Sequence, residues 1–448
     1  MRQQDKPRYN KLVRRRERKR LKRQRISKYS ERSPYYKIVE FKKRVDRQII
    51  KKFHFPLYNF LAARKFVDGT ENLSANIEMP KDFSFATNYE GSMSFIRDFV
   101  ASVIDSLGGE LQVSFKECEK ADQPALFVFQ ILRLEMIEQF RKFDRKLSVL
   151  SVEAKIEIEP SKNDEVNKLL LVGGLVGATE VKVQGLIPRR GVGFLKGSKS
   201  QRLYSENKKG AITTKIRDFI NSCLRDHGHE FNSEGINEMD GLLSEILGNG
   251  EDHSPFDTYY STANSFVEAD RFVGEVNLSV MNFGYSIYEG LELSKKDNYE
   301  NYKVVERLYD QVIHRIKNRT IGREDLFTLY ALQEGISRLK FEDQSRGHGT
   351  MKFINSFFAL GDFEDISKHY HPELTIISGS TQVICNKKYK PFSVNEQNFL
   401  SLNSENDLSR PPDPSNLKHL KSSFPGTILY VKIYLNKEHL RRKIDGDS

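Results

Sequence analysis

The segment Glu245-Ile-Leu-Gly-Asn249 places a carboxylate and a carboxamide four residues apart. If the segment is helical, Glu245 and Asn249 share a face, because residues four apart are neighbours on a helix surface. Two oxygen-bearing side chains on one face can converge on a hard cation such as Mg²⁺ and on the phosphates that accompany it. The spacing therefore predicts the metal-phosphate end of a nucleotide site.

A second candidate segment, Arg346-Gly347-His348-Gly349-Thr350, follows about a hundred residues later and precedes a predicted helix. Gly347 and Gly349 would let backbone amides approach phosphate oxygens at the start of that helix, where the helix dipole attracts anions. Arg346 would add a charged contact to a phosphate. A solvated basic turn is the alternative explanation of the same residues.

The elements that must position these segments are predicted from hydrophobic periodicity. It predicts helices over 211–227, 238–252, 299–317 and 350–358, and the second of these carries Glu245 and Asn249. It predicts strands over 374–378, 382–385 and 427–435, with a polar insertion at about 390–423 between the last two. We therefore predict a C-terminal α/β domain over 211–438.

A smaller α/β unit is predicted over 78–187. Its elements are a strand at 111–115, a helix at 125–143, a strand at 147–158, a helix from about 164 and a strand at about 180–186. This order resembles a STAS domain, the fold of the anti-anti-sigma factors. Phosphorylated members of that family carry Ser or Thr in the turn before the helix, whereas the turn at 120–124 has no hydroxyl. The resemblance implies a docking or dimerising role, and hence a protein partner or a homodimer, with a generic packing module as the alternative.

Positive charge is concentrated at the N-terminus. The whole chain has a formal net charge of +11, but residues 1–56 hold 22 Lys and Arg against 5 Asp and Glu, so the rest of the chain carries −6. The run 11–28 has no apolar stripe and repels itself, which predicts an arm that is disordered or a frayed helix. Such an arm could neutralise the phosphates of nucleic acid. The alternatives are a solubilising tail and a segment that docks on an acidic face.

Composition limits the class of protein. At 448 residues the chain exceeds what one hydrophobic core usually supports, so two or three domains are expected, with a Gly- and Ser-rich basic linker at 188–210 and a tail at 439–448. No apolar run approaches the roughly 18 residues that span a bilayer, and the N-terminus is charged where a signal peptide is apolar. We therefore expect no membrane contact and a cytoplasmic location. The three cysteines are widely separated, which predicts buried thiols rather than disulfides or a zinc site.

Four short segments resemble, in order, the four boxes of the GHKL ATPases, the superfamily of DNA gyrase, the ninety-kilodalton heat-shock chaperones, sensor histidine kinases and anti-sigma-factor kinases. They are Glu245 to His253, Val280 to Ser286, Arg346 to Thr350, and Pro425 to Thr427 before a strand. The resemblance covers about residues 205–438. It implies a two-layer α/β sandwich, with helices on one face of a mixed sheet, that binds ATP and Mg²⁺. With the unit at 78–187, the chain is similar to bacterial proteins that join a STAS-like domain to such an ATPase.

The resemblance implies roles for individual residues. Asn249 matches the asparagine that binds Mg²⁺ through its side-chain oxygen, and Glu245 matches the carboxylate that polarises the attacking water. His253 would face the phosphates or cap the helix end. The run 346–350 would bind the phosphates. Thr427 would orient adenine or the lid, or be an ordinary strand residue.

The second box departs from the family pattern. Family members have an Asp that accepts a hydrogen bond from the adenine amino group, followed by Gly-x-Gly, whereas this chain has Asn282, Gly284 and Ser286. Asn keeps an acceptor oxygen but loses the charge-assisted part of that hydrogen bond, which is expected to weaken adenine binding by about 1 kcal/mol. Ser286 in place of the second Gly alters how closely the backbone can approach the base. Asn282 and Gly284 are therefore expected to contact adenine, with reduced affinity.

Two classes of function stay open on the sequence. In the first, ATP and Mg²⁺ bind the domain over 211–438, a lid at about 294–345 closes, and slow hydrolysis that depends on Glu245 drives a switch that a protein partner reads. In the second, the pocket belongs to a catalytically inactive protein-interaction module. Phosphotransfer of the anti-sigma or histidine-kinase type is a further alternative, which is disfavoured because no His lies on a dimerisation-type helix before the ATPase domain.

Overall fold

A computed structural model describes most of the chain after residue 73. The described ranges are 74–106, 110–147, 155–177, 179–181, 187–198, 208–252, 254, 258–267, 273–316, 320–336, 349–360, 372–395 and 397–436. Several predicted features lie outside them, namely the basic arm 1–56 with its run 11–28, His253, Arg346, Gly347 and the tail 439–448. The predictions for those residues stay predictions.

The chain is a mixed α/β protein. Its helices are α1 Tyr89–Asp105, α2 Gln123–Leu147, α3 Asp164–Val172, α4 Lys208–Asp226, α5 Ser233–Asp252, α6 Ile287–Ser294, α7 Tyr299–Ile313, α8 Arg323–Ala331 and α9 Gly349–Leu360. Its longer strands are β1 Ser74–Glu78, β3 Glu110–Ser114, β5 Lys155–Glu159, β6 Ile187–Ser198, β7 Thr258–Val267, β8 Val273–Phe283, β9 Glu373–Cys385 and β12 Leu417–Asn436. The short strands are β2 Asp82–Phe83, β4 Lys120–Ala121, β10 Phe392–Val394 and β11 Gln397–Phe399. Within the described ranges, no helix has both the length and the apolar character needed to cross a bilayer.

The chain divides into two compact units. The first takes residues 1–77, 97–113 and 132–157, and the second takes 78–96, 114–131 and 158–448. This division runs across the predicted domain at 78–187, because the segments 78–96 and 114–131 cluster with the chain after residue 158. Periodicity is a local signal, so it could not assign those segments to a distant part of the chain.

A three-stranded sheet with strand order β1-β3-β5 contains most of the described strand residues of the first unit. β3 confirms the strand predicted at 111–115 to within one residue, and α2 confirms the helix predicted at 125–143. Of the strand predicted at 147–158, β5 confirms the part from Lys155, whereas Leu147 is the last residue of α2 and residues 148–154 lie outside the described ranges. The last turns of α2 are rich in Arg, Lys and Phe, and the Lys and Arg residues favour continuation of a helix.

The main sheet of the second unit has five strands in the order β6-β7-β8-β12-β9. Every pairing between neighbouring strands is antiparallel, which corrects the predicted mixed sheet. Hydrophobic periodicity carries no information about strand direction. The two strands predicted at 374–378 and 382–385 are the single strand β9, and β12 begins at Leu417, inside the predicted insertion.

One face of this sheet packs on helices. Val276, Leu278 and Val280, which alternate along β8, are buried on that face, as the two-residue period of a strand requires. The same core contains residues from six helices of the second unit, among them Ile216 of α4, Leu243 and Leu247 of α5, Phe327 of α8 and Ile354 of α9. This core fixes the helices that carry the candidate site.

The opposite face of the sheet is also covered. Phe127 of α2 stacks on Phe194 of β6, with ring centroids 5.6 Å apart. The Gln382 amide on β9 donates to the Phe85 carbonyl at 3.4 Å. The expectation of helices on one face only is therefore corrected, because segments that precede residue 131 cover the second face.

Strand β6 occupies residues 188–198 of the predicted linker at 188–210, and α4 begins at Lys208, whereas residues 199–207 lie outside the described ranges. The glycines of this stretch suggested a linker. A Cβ at Gly191 would lie only 1.8 Å from the carbonyl oxygen of Ala263 on β7. Glycine at that position is therefore required by the close approach of two paired strands.

All three cysteines, Cys118, Cys223 and Cys385, are free and buried, as predicted. Burial raises the pKa of the Cys118 thiol to about 11 and that of Cys385 to about 12. Since the thiolate is the reactive form, these two groups are inert at neutral pH.

Candidate functional site

Helix α5 presents Glu245 and Asn249 side by side, as their spacing predicted. The apolar residues Leu243, Ile246 and Leu247 are buried and hold the helix in the core. Glu245 and Asn249 are half-buried at the edge of this apolar face. The helical interpretation of the segment is therefore confirmed.

The start of α9 lies against this part of α5. The carboxamide nitrogen of Asn249 is 3.5 Å from the hydroxyl oxygen of Thr350, at the outer limit of a hydrogen bond. Gly349 and Thr350 are the first residues of α9, which the buried Met351 and Ile354 hold in the core. The first and third predicted segments therefore meet, although 101 residues separate Asn249 from Thr350.

Two oxygen-bearing groups at this place have no protein partner in the part of the chain that the structure describes. Glu245 makes no hydrogen bond or ion pair there, and Asn249 contacts Thr350 through its nitrogen, which leaves its Oδ1 open. An amide oxygen beside a carboxylate suits Mg²⁺, which takes few protein ligands and keeps water and phosphate oxygens. The described residues contain no group of three or more His, Cys, Asp or Glu side chains that could hold a metal ion.

Lys209 is a cation near this face that the sequence interpretation missed. Its Nζ lies 3.3 Å from the position that a Cβ would occupy at Gly248, one helical turn after Glu245. The described residues supply no ion pair to this ammonium group. Lys209 fell within the predicted linker, and the only signal for it was its place just before a helical run.

The second and fourth segments meet in one row across the sheet. The strand registers place Asn282 of β8 opposite Tyr259 of β7 on one side and opposite Thr427 of β12 on the other. Thr427 in turn lies opposite Ser378 of β9. Three polar side chains from three strands are thus aligned at one level of the sheet.

Asn282 has both ends of its carboxamide engaged. Its Oδ1 accepts a hydrogen bond from the backbone N–H of Thr427 at 3.1 Å, and its Nδ2 donates to the carbonyl of Gly250 at 3.2 Å. The residue is only 2% exposed. Asn282 therefore joins the C-terminal part of α5 to the sheet, and its burial leaves almost no surface for the adenine contact predicted for it.

Thr427 and Ser378 continue the network. Their hydroxyl oxygens are 2.8 Å apart, and Ser378 Oγ also accepts the backbone N–H of Ile287 at 2.8 Å. Because that oxygen accepts from Ile287, its own proton is free to be donated to Thr427. The chain of hydrogen bonds thus runs from α5 through β8, β12 and β9 to the first residue of α6.

Ser286 serves as the N-cap of α6. Its hydroxyl accepts from the Glu289 N–H at 3.1 Å, and its own N–H donates to Glu289 Oε2 at 2.8 Å, which completes a capping box. Two residues earlier, Gly284 has a φ of 145° and donates to the carbonyl of Pro425 at 3.1 Å. Serine is among the preferred N-cap residues, which explains it at position 286 without reference to a base.

The helices of the predicted lid at about 294–345 belong to the packed core. Tyr302 of α7 and Phe327 of α8 are buried, and Arg323 donates to the Tyr302 hydroxyl at 2.8 Å. The Arg323 guanidinium also lies 4.1 Å from the centre of the Phe327 ring. Burial opposes the charge on Arg323, but the hydrogen bond to Tyr302 helps to raise its pKa overall. Movement of α7 and α8 away from the sheet would break the hydrogen bond that the Thr381 hydroxyl of β9 donates to Asp325 of α8 at 2.8 Å. Residues 337–345 lie outside the described ranges.

An ionisable group near Ser286 is Glu324. Its Oε1 accepts the Ser380 N–H at 2.8 Å, and a Cβ at Gly379 would fall 2.1 Å from that oxygen and 2.9 Å from the Ser286 Cβ. Burial raises the pKa of the Glu324 carboxyl group. This carboxylate is therefore engaged by the backbone of β9.

Comparisons with known proteins give no family for the chain. No protein-family model, no curated protein and no solved structure matches it. The geometry of the site is therefore the basis for any functional proposal.

Proposed function

We propose that the second unit binds a nucleoside triphosphate such as ATP with Mg²⁺ and hydrolyses it slowly. A partner protein would respond to whether the site is occupied. The observation that carries this proposal is the convergence of four segments far apart in the sequence. Asn249 meets Thr350, and Gly250, the next residue after Asn249, is joined through Asn282 to Thr427. These are members of the four segments whose order resembles the GHKL boxes.

The phosphate end of the proposed site lies between α5 and α9. The first backbone amides of α9, a helix of 12 residues, are unpaired within the helix and attract anions. Asn249 Oδ1 would be a ligand of Mg²⁺, and the bound ion would neutralise charge on the phosphate oxygens. Glu245, one turn earlier on the same helix, would accept a proton from the attacking water.

The proposal includes a protein-docking role for the predicted STAS-like region, which contains the segments 78–96 and 114–131. These segments cover the second face of the sheet whose first face carries α5 and α9. A change at the phosphate end of α5 is transmitted to the sheet through the hydrogen bond between Gly250 and Asn282. A partner bound to these segments would therefore sense the occupancy of the site.

The central test is titration of the full-length protein with ATP and Mg²⁺, followed by measurement of phosphate release. Asn249→Ala should weaken binding by roughly 100-fold or more, about 2.7 kcal/mol, because a direct metal ligand is lost. Glu245→Gln should leave the binding constant within about threefold of wild type and lower turnover by roughly 100-fold or more, the usual contribution of a general base.

Matched controls lie on the same helix. Asn237 and Glu234 are exposed residues of α5, distant from Asn249 along the helix. Asn237→Ala and Glu234→Gln should leave both binding and turnover unchanged. Absence of binding to wild-type protein at millimolar ATP, with or without Mg²⁺, would overturn the proposal.

Lys209→Met should weaken triphosphate binding by roughly tenfold, about 1.4 kcal/mol. The reason is the position of its ammonium group beside Gly248, on the helix that carries Glu245 and Asn249. Lys215→Met is the control, since Lys215 is an exposed residue of the same helix α4. Equal affinities of the two variants would remove Lys209 from the proposed site.

A further inference from the structure

Among the described residues, the groups to which the resemblance assigns base reading are already bonded within the protein. From this we infer that the site recognises the polyphosphate chain and its metal ion and does not discriminate among bases. The ligand class is thus any nucleoside triphosphate, and inorganic tripolyphosphate with it. This inference rests on the proposed function and specifies the ligand of the same site.

Asn282 is the first of these groups. It is 2% exposed, with its oxygen bonded to the Thr427 N–H and its nitrogen to the Gly250 carbonyl. Both partners are backbone groups of regular elements and cannot turn to meet a ligand. A base that approached Asn282 would have to separate the end of α5 from the sheet, so this carboxamide is unsuited to read an adenine edge.

The other predicted base-reading groups are engaged in the same way. The Thr427 hydroxyl pairs with Ser378, and Ser286 is 2% exposed with its hydroxyl on the Glu289 N–H. The Gly284 N–H is bonded to Pro425. Hydrogen bonds discriminate strongly only when a wrong ligand leaves a buried group of the site unpaired. Asn282, Ser286 and Gly284 already hold partners within the protein, and the Thr427 hydroxyl, which accepts from Ser378, keeps its own proton at a half-buried position that water can reach. A change of base therefore leaves no buried group newly unpaired.

At the phosphate end, by contrast, the polar groups lack partners among the described residues. Asn249 Oδ1 and the Glu245 carboxylate accept no hydrogen bond from the described residues, and Lys209 has no ion pair among them. A triphosphate and its metal ion would supply partners for these charged and polar groups. The free binding capacity of the site therefore lies where every nucleoside triphosphate is chemically the same.

The test is competition on the wild-type, full-length protein with Mg²⁺ present. ATP, GTP, CTP and inorganic tripolyphosphate should bind with dissociation constants within about threefold of one another, and adenosine should not bind at millimolar concentration. ATP binding more than tenfold tighter than GTP and CTP would overturn the inference while the proposed function stands. If neither the nucleotides nor tripolyphosphate bind, the proposed function and this inference both fail.

A variant separates the two roles of Asn282. Asn282→Ala should change the affinities for ATP, GTP and CTP by one common factor, because the side chain supports the fold and touches no base. A change of more than threefold in the ratio of ATP to GTP affinity would assign base reading to Asn282 and overturn the inference. If the variant does not fold, the wild-type competition decides alone.

Discussion

Asn282→Asp is expected to destabilise the protein by roughly 2–4 kcal/mol and to leave ATP binding no tighter. The carboxylate has no N–H to donate, so the Gly250 carbonyl, 3.2 Å from the present Nδ2, would lose its partner and face a charged oxygen. Position 282 is also 2% exposed, and a charge there would be buried without a cation. The resemblance to the GHKL family predicts the opposite, since Asp is the family residue and should restore the bond to adenine.

Urea unfolding and ATP titration of the same preparation distinguish the two expectations. Asn237→Asp is the matched control, because it makes the same chemical change at an exposed position of α5 and should alter the unfolding free energy by less than about 0.5 kcal/mol. Tighter ATP binding by Asn282→Asp at undiminished stability would show that the side chain faces a base. The structural role assigned to Asn282 would then be wrong.

The helices of the candidate site were predictable because their apolar residues repeat with the helical period. The predicted helix at 238–252 ends at the correct residue, Asp252, but α5 begins five residues earlier, at Ser233. The first turns contain Gly235 and Asn237, which have low helix propensity and no apolar repeat. The start of α5 could therefore not be predicted from a pattern that depends on buried apolar side chains.

Strand β6 and the sheet order were not predictable in this way. Two of the glycines that make β6 resemble a linker, Gly191 and Gly197, leave no room for a Cβ beside β7, and only the folded sheet shows those contacts. The hydrogen bond from Thr427 to Asn282 joins residues 145 positions apart and depends on the register of β8 and β12. A sequence motif could place Asn282 near the site, but it could not show that the register would occupy its carboxamide.

Lys209 is a second case in which the role of a residue depends on contacts that the sequence does not show. The type of residue was visible in the sequence, as part of a basic stretch, but its relation to α5 is a contact between two helices. Local composition favoured a linker over an anion-binding role. The contribution of such a residue can be recognised only after the helices α4 and α5 are placed against each other.

Among substitutions that add one methyl group in this region, Gly426→Ala should lower the unfolding free energy most. Gly426 has a φ of 139°, which L-residues rarely adopt, and it pairs with Phe283 at the end of β8. A Cβ there would lie 2.2 Å from the Asn282 carbonyl oxygen and 2.9 Å from the Phe283 Cα, both backbone atoms. Since neither can move without shifting β8 against β12, we expect a loss of about 3–5 kcal/mol in unfolding free energy.

Gly193→Ala provides the control for this substitution. Gly193 also lies in a strand of the same sheet, but a Cβ there has no atom within 4 Å. Its replacement should be neutral or slightly stabilising, because Gly in a strand costs backbone entropy. Chemical unfolding of the two variants compares one methyl group placed against backbone with one placed in open space. Similar unfolding free energies of the two variants would mean that β12 does not approach β8 closely at Gly426. The hydrogen bond from Thr427 to Asn282, which depends on this approach, would then be wrong as well.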